Sequence, residues 1–208
     1  MAVVPQVKIC GLRRYEDARA ALDAGAWALG FIFHPSSKRY IDPAAAAKLI
    51  ARLPREALCV GVFVDYELEA LHEVVRSTGL RGVQLHGNES PEYARQVEAE
   101  LVVRALRVGE GFEPASVDVF GDCRILLDTY DAAAVGGTGR AFDWSIARRV
   151  GERAAVILAG GLTPENVGEA LTVARPAAVD VAGGVEQSHG VKDHDKLRRF
   201  FAAVRGES

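Results

Sequence analysis

Polar and reactive side chains stand where short apolar runs end: Cys10, His34, Asp65, His86, Arg107, Asp128, Gly160-Gly161 and Gly183-Gly184. A thiol, carboxylates, imidazoles and glycine pairs in matching places are the parts of a reacting surface, with groups to move protons and backbone to hold an anion. The glycines carry the clearest chemistry. Ala159-Gly160-Gly161-Leu162 leads toward a helix start at Thr163-Pro164, and Asp180-Val181-Ala182-Gly183-Gly184 leaves the next apolar run. Glycine lets backbone N–H groups come close to phosphate oxygens, and a helix N-terminus adds to the attraction. Tight turns with positive φ would explain either pair alone. Two pairs in successive places point to phosphate, with Gly136-Gly137-Thr138-Gly139 placed to close over the same ligand.

Strand alternation puts Lys8 and Cys10 on one face of the first run and Val7 and Ile9 on the other. The apolar pair suits a helix layer, so Lys8 and Cys10 face inward. A buried lysine needs a partner, and Asp180 on the last run is the candidate. A lone buried cysteine is by default an inert small hydrophobe. Beside cationic groups, however, its ordinary pKa of ~8.5 falls and it becomes a base or nucleophile. Cys59 and Cys123 lack that setting. Asp128 either sits half in an apolar mouth, where a raised pKa keeps its proton, or caps a turn through Thr129 and Asp131. Arg39, within Ser36-Ser37-Lys38-Arg39-Tyr40, either grips a carboxylate through two parallel hydrogen bonds or is solvated. Gln84 and His86 share a strand face, facing either the core or a ligand. Asp180 and His86 complete the substrate-facing candidates.

These residues need a scaffold that brings the ends of many runs together. Eight runs rich in Val, Ile and Leu qualify: Val7–Cys10, Ala28–Phe33, Leu58–Val64, Gly82–Leu85, Leu101–Leu106, Arg124–Leu127, Ala155–Ala159 and Ala178–Val181. Near-continuous apolarity fits strands buried on both faces of a parallel sheet. Between them, apolar stripes such as Ala18, Ala21, Leu22 and Leu197, Phe200, Phe201, Val204 have helical spacing. Asp42-Pro43 and Thr163-Pro164 mark helix starts, and Gly25 and Gly79 mark helix ends. Eight alternations predict a single-domain (β/α)8 TIM barrel over residues 1–208, whose active face lies at the carboxyl ends of the strands. The rival, an open doubly wound sheet, would carry a glycine-rich fingerprint after its first strand, and Cys10-Gly11-Leu12-Arg13 is not one.

Composition narrows the function classes. Hydrophobic residues make up 49% and charged residues 25%, the proportions of a globular chain with a core. A net charge of −3 gives no bulk field for nucleic acid or anionic membrane, so any anion needs a local site. Three cysteines without CxxC spacing predict neither a disulfide framework nor a structural zinc. No apolar stretch reaches the ~18 residues of a membrane span and the start lacks signal-peptide order, so a cytoplasmic protein is expected.

Lys8-Ile9-Cys10-Gly11, Gly30-Phe31-Ile32-Phe33-His34-Pro35-Ser36-Ser37-Lys38-Arg39-Tyr40, Val60–Val64 and Val83-Gln84-Leu85-His86-Gly87 occur in that order. Leu126-Leu127-Asp128, Gly136–Gly139 with Phe142-Asp143-Trp144, and Leu158–Val167 follow. Together they resemble the phosphoribosylanthranilate isomerases over nearly the whole chain. The resemblance implies an Amadori rearrangement in tryptophan biosynthesis, without metal or organic cofactor. It puts the general base on Cys10 and the general acid on Asp128, the substrate carboxylate on Arg39, and the phosphate on the loops bearing Gly160-Gly161 and Gly183-Gly184. It implies a monomer or homodimer. Two departures stand out. Ala182-Gly183 replaces the usual two serines before the glycine, and Arg13 replaces the usual Thr after Cys10-Gly11-Leu12, leaving the first helix without its expected cap.

Three rival functions have distinct signatures. A metal-dependent sugar-phosphate epimerase requires His34, His86, Asp65 and Asp128 to converge on an ion. An aminoaldose isomerase of histidine biosynthesis resembles a two-aspartate arrangement, and Cys10 occupies the first of those places. A barrel that only binds a phosphorylated metabolite would convert nothing.

Overall fold

A computed structural model describes residues 4–109, 111–128 and 144–207. Eight parallel strands close into a barrel in sequence order: β1 (Gln6–Ile9), β2 (Ala28–Ile32), β3 (Leu58–Phe63), β4 (Gly82–Leu85), β5 (Leu101–Arg107), β6 (Arg124–Asp128), β7 (Val156–Ala159) and β8 (Ala178–Val181). Each matches one apolar run. The ring is sealed where β1 pairs with β8, with Lys8 directly across from Asp180.

Among the described residues seven helices cover the outside: α1 (Tyr15–Ala24), α2 (Pro43–Ile50), α3 (Leu68–Thr78), α4 (Pro91–Arg95), α5 (Ser145–Val150), α6 (Val167–Ala174) and α7 (His194–Arg205). Their starts show which side chains can hold orphan N–H groups. Asp42 accepts from Ala44 N and Ala45 N with Pro43 at the first helical position, as its sequence predicts. Gly25 and Gly79 end α1 and α3 in the left-handed conformation. At α1 the N-cap is Arg14, which makes no side-chain cap hydrogen bond.

Two expectations need correction. The helix after β7 begins at Val167 rather than directly after Thr163-Pro164. The Asn166 side chain accepts from Thr163 N at 2.8 Å and donates to Gly161 O at 3.0 Å, so the chain completes a side-chain-bonded turn before the helix can start. After β5, a 3-10 segment (Pro114–Phe120) stands where an α-helix was expected. Gly136–Gly139 lies outside the described residues.

The core divides as alternation requires. Val7, Ile9, Leu29, Phe31 and Phe33 join helix residues such as Leu197 and Phe200 in the layer between sheet and helices. Val103, Ala105, Leu126, Ile157, Ala159 and Ala178 fill the inside of the barrel. Arg124 lies 4.5 Å over the Trp27 ring and donates to Gln6 Oε1, near the amino-terminal ends of the strands. After β8 a short 3-10 turn (Gly183–Val185) leads into a two-stranded hairpin, β9 (Glu186–Ser188) with β10 (Val191–Lys192), beside the barrel mouth. No helix among the described residues is long and apolar enough to cross a membrane.

Candidate active site

The carboxyl ends of the strands surround a cavity of about 620 Å³. Cys10, Arg39, His86, Asp128, Gly160, Gly161, Asp180, Gly183 and Gly184 all line it, together with Gln84, Lys38 and His189. Every substrate-facing candidate read from the sequence therefore borders one space. The volume suits a small phosphorylated molecule with an aromatic ring.

Cys10 follows β1 and is 5% exposed at the cavity wall. The expectation that cationic neighbours depress its thiol pKa is corrected. Burial, the largest influence, pushes the thiol above its ordinary value, and Lys8 and Lys192 only partly offset it. Lys8 beneath it is fully buried, with Nζ 2.9 Å from Asp180 Oδ1.

Asp128 ends β6, three strands from β1 through the β8 side of the ring. His86 Nε2 lies 3.4 Å from Asp128 Oδ2, and His86 Nδ1 lies 3.0 Å from Gln84 Nε2. If the Gln84 amide donates, His86 accepts at Nδ1 and its neutral ring carries the proton on Nε2, toward Asp128. Gln84 and His86 both line the cavity and are bonded to each other. His34 and Asp65 do not line it. Among the described residues no three His, Cys, Asp or Glu side chains form a group that could hold a metal ion.

Arg39 has the fork geometry expected of it, but its carboxylate partner is internal. Its Nε and Nη2 donate to Glu186 Oε1 and Oε2 at 2.8 and 2.7 Å, which strengthens the guanidinium's hold on its charge. Glu186 also accepts from Lys192 Nζ at 3.0 Å and from Gly190 N at 3.2 Å. Lys192 Nζ donates further to Cys10 O and Ala182 O, tying the ends of β1 and β8 to the hairpin. Two cationic groups around one carboxylate leave this edge suited to an anion, and the end-on Nη1/Nη2 edge of Arg39 lies outside the Glu186 fork. The sequence reading missed Glu186, Lys192 and His189. The hairpin sequence Glu186-Gln187-Ser188-His189-Gly190-Val191-Lys192 looks like solvated loop, and only the long-range pairing shows otherwise.

At the other edge, Gly160 and Gly161 have φ of +88° and +63°, which side chains rarely adopt. A Cβ on Gly184 would overlap Leu162 O, so the two glycine loops pack backbone to backbone. Because α6 starts late, loop backbone and the turn at Gly183–Val185, rather than an immediate helix N-terminus, form this edge of the cavity.

A family model described as N-(5'phosphoribosyl)anthranilate (PRA) isomerase matches residues 7–203. The chain belongs to the phosphoribosylanthranilate isomerase family. A curated relative from Syntrophus aciditrophicus, N-(5'-phosphoribosyl)anthranilate isomerase, is 46% identical over 200 residues, covering 96% of this chain and 87% of that protein. The crystal structure of phosphoribosyl anthranilate isomerase from Thermotoga maritima superposes with a TM-score of 0.89 at 42% identity, covering 97% and 99% of the two chains. Another solved isomerase, in complex with reduced 1-(o-carboxyphenylamino)-1-deoxyribulose 5-phosphate, has a TM-score of 0.86 at 40% identity, with 97% and 99% covered. Phosphoribosylanthranilate isomerases thus match in sequence and in the barrel itself.

Proposed function

We propose that this protein converts N-(5-phosphoribosyl)anthranilate to 1-(2-carboxyphenylamino)-1-deoxyribulose 5-phosphate, an aldose-to-ketose isomerisation in tryptophan biosynthesis. The observation that carries the reading is one cavity bounded by Cys10 and Asp128, with Arg39 and the paired glycine loops also lining it. Family membership supports the same substrate.

Arg39 takes the anthranilate carboxylate on its end-on edge while Glu186 holds the other edge. The amides of Gly160-Gly161 and Gly183-Gly184 take the phosphate. Fixing both ends leaves the ribose between acid and base, with His86 and Asp180 at the wall beside its hydroxyls. Protonated Asp128 gives its proton to the ring oxygen. The C1′–O4′ bond breaks as the nitrogen lone pair forms the iminium. The Cys10 thiolate removes the proton from C2′, and the C–H electrons form the C1′=C2′ bond of an enolamine. Proton uptake at C1′ and loss from the C2′ hydroxyl give the ketone. The proton gained by sulfur matches the one lost by Asp128, so the overall step is an isomerisation. His86 Nε2 beside Asp128 Oδ2 is placed to orient the acid. The residues required are all from this chain, and the reaction is written without metal or organic cofactor.

The protein acts as a single cytoplasmic domain over residues 1–208, as a monomer or homodimer, with the phosphorylated substrate as its ligand and neither nucleic acid nor membrane as partner. The test is loss of substrate fluorescence with purified protein in the presence of a chelator. Undiminished conversion supports the reading, and its abolition by chelator favours the metal-dependent epimerase. Parallel assay of the aminoaldose of histidine biosynthesis discriminates the related isomerase. Unchanged turnover in Asp128→Asn sinks the acid assignment, and a barrel that only binds would show no conversion at all.

A further inference from the structure

Burial makes Cys10 a poor base unless something offsets it, and the residue two positions earlier on the same strand face is a lysine. Lys8 is fully buried, and its Nζ donates to Asp180 Oδ1 at 2.9 Å across the β1–β8 ladder. A buried ammonium–carboxylate pair can often be replaced by apolar side chains without loss of stability. Stability alone is therefore a weak reason for this pair to lie beneath the cavity. Gly30 on β2 supplies a second observation. A Cβ there would stand 2.8 Å from Cys10 Sγ and 3.0 Å from Lys8 Nζ. Sulfur and ammonium thus border one small volume, less than about 6 Å apart, and they share it because position 30 has no side chain.

We infer that Lys8, held by Asp180, is a positioning residue for Cys10: its ammonium stabilises the thiolate in the space that Gly30 leaves open. The inference rests on Cys10 being the base of the proposed reaction. Charged groups reach the sulfur from four elements: Lys8 on β1, Asp180 on β8, Lys192 on the hairpin and Arg39 in the loop after β2. After burial itself, Lys8 acts most strongly, ahead of Asp180 and Lys192. Burial disfavours the Lys8 ammonium, but Asp180 and the sulfur outweigh it and hold its pKa above the usual lysine value. When Cys10 takes the C2′ proton, the new S–H bond forms at sulfur and Lys8 keeps its own three protons. Lys8 supplies charge, and no proton passes through it.

The experiment compares wild type, Lys8→Met and Lys8→Met/Asp180→Asn in two readouts across pH. The first is the rate of Cys10 alkylation by iodoacetamide on the free protein, resolved from Cys59 and Cys123 by peptide mass spectrometry. The second is kcat/KM. Methionine fills the volume of the lysine, and the double variant strands no buried carboxylate, so it reads the pair even where the single variant loses its fold. The midpoint of Cys10 reactivity is expected to move up by about one to two pH units in Lys8→Met, and in the same direction in the double variant. The acidic limb of kcat/KM moves with it, giving about a 10- to 100-fold loss at pH 7 that recovers as pH rises. An alkylation midpoint within about 0.3 units of wild type in every folded variant overturns the inference, whatever happens to turnover. Turnover retained by Cys10→Ala overturns instead the base assignment beneath it. The two failures are distinguishable because alkylation requires no catalysis.

Discussion

Two arcs of the barrel rim bury charged side chains in opposite ways. Along β3, β4 and β5, Arg104 Nη1 pairs with Glu89 at 3.0 Å and also donates to Leu85 O, while Nη2 donates to Gly87 O. Glu89 accepts from Asp65 N and Gly87 N, while Tyr66 Oη and Tyr93 Oη donate to Phe33 O and Tyr66 O. Charge here is directed at backbone and fixes loops. Along β8, β1 and β2, the residues Lys8, Asp180, Arg39, Glu186 and Lys192 mostly meet one another, and Asp180 and Arg39 border the cavity. The first arc holds shape with its ions, whereas the second arranges a field around Cys10 and an anion. A buried ion pair is therefore no functional signal by itself. What its spare hydrogen-bonding capacity faces decides the matter.

The largest expected effect lies in the second arc. Cys10→Ala should lower kcat by about 10²- to 10⁴-fold, as should Asp128→Asn, with affinity for product analogue retained. Each should leave the urea midpoint close to wild type. A collapse of stability with normal specific activity in the folded fraction would reverse the assignment of the two arcs. The matching change in the first arc is Arg104→Met. It strands Glu89 and should cost about 3–5 kcal/mol in urea unfolding, while kcat/KM of the folded protein stays within about twofold of wild type.

Glu186 stands between these extremes. Its carboxylate is buried, which alone would raise its pKa, but Arg39 and Lys192 outweigh this and hold it below the usual carboxylate range. Because the folded pKa is depressed, its contribution to stability is complete above the unfolded value of about 4.3 and is lost as pH falls through the folded one. Glu186→Gln removes that acid-side loss and loosens the fork on Arg39. The expected result is about a tenfold rise in KM with little change in kcat, and about 2 kcal/mol less stability at pH 7. A fall in kcat at constant KM would place Glu186 with the proton-moving groups instead.

The same contrast explains what the sequence made legible. All eight strands are legible because a parallel sheet buried on both faces leaves continuous apolar runs, and of the run ends Cys10, His86, Asp128 and the two glycine pairs line the cavity while His34, Asp65 and Arg107 do not. Alternation and barrel closure were enough to pair Lys8 with Asp180. Glu186 and Lys192 could not be read: their partners Arg39 and Cys10 lie 147 and 182 residues away, and nothing local separates them from solvated charges. Thr-Pro is a sound cap signal, but the Asn166 side chain captures Thr163 N first, so the helix after β7 starts later than the sequence predicts. The direction of the Cys10 shift is not legible in the sequence, because neighbouring charge can be inferred there and the depth of burial cannot.

The smallest effect expected is at Asp65, which tests whether the first arc tolerates loss of charge when its geometry is kept. Asp65 has φ of +51°, a region that asparagine tolerates about as well as aspartate. Its Oδ1 accepts from Asn88 N and its Oδ2 from Asn88 Nδ2, so its hydrogen bonds go to one loop residue while its charge acts on Arg104. Asp65→Asn keeps the Oδ1 acceptor for Asn88 N and the backbone conformation, and loses the weaker bond from Asn88 Nδ2 together with the charge. Stability should fall by about 0.5–1 kcal/mol, a small shift of the urea midpoint, and kcat/KM should be unchanged. Asp65→Ala adds backbone strain at positive φ and should cost more, about 1–3 kcal/mol, still without touching turnover. If the asparagine variant instead lost activity at full stability, Asp65 would belong with the reacting groups, and the separation of the two arcs would fail in the small pocket that Asp65 shares with His86.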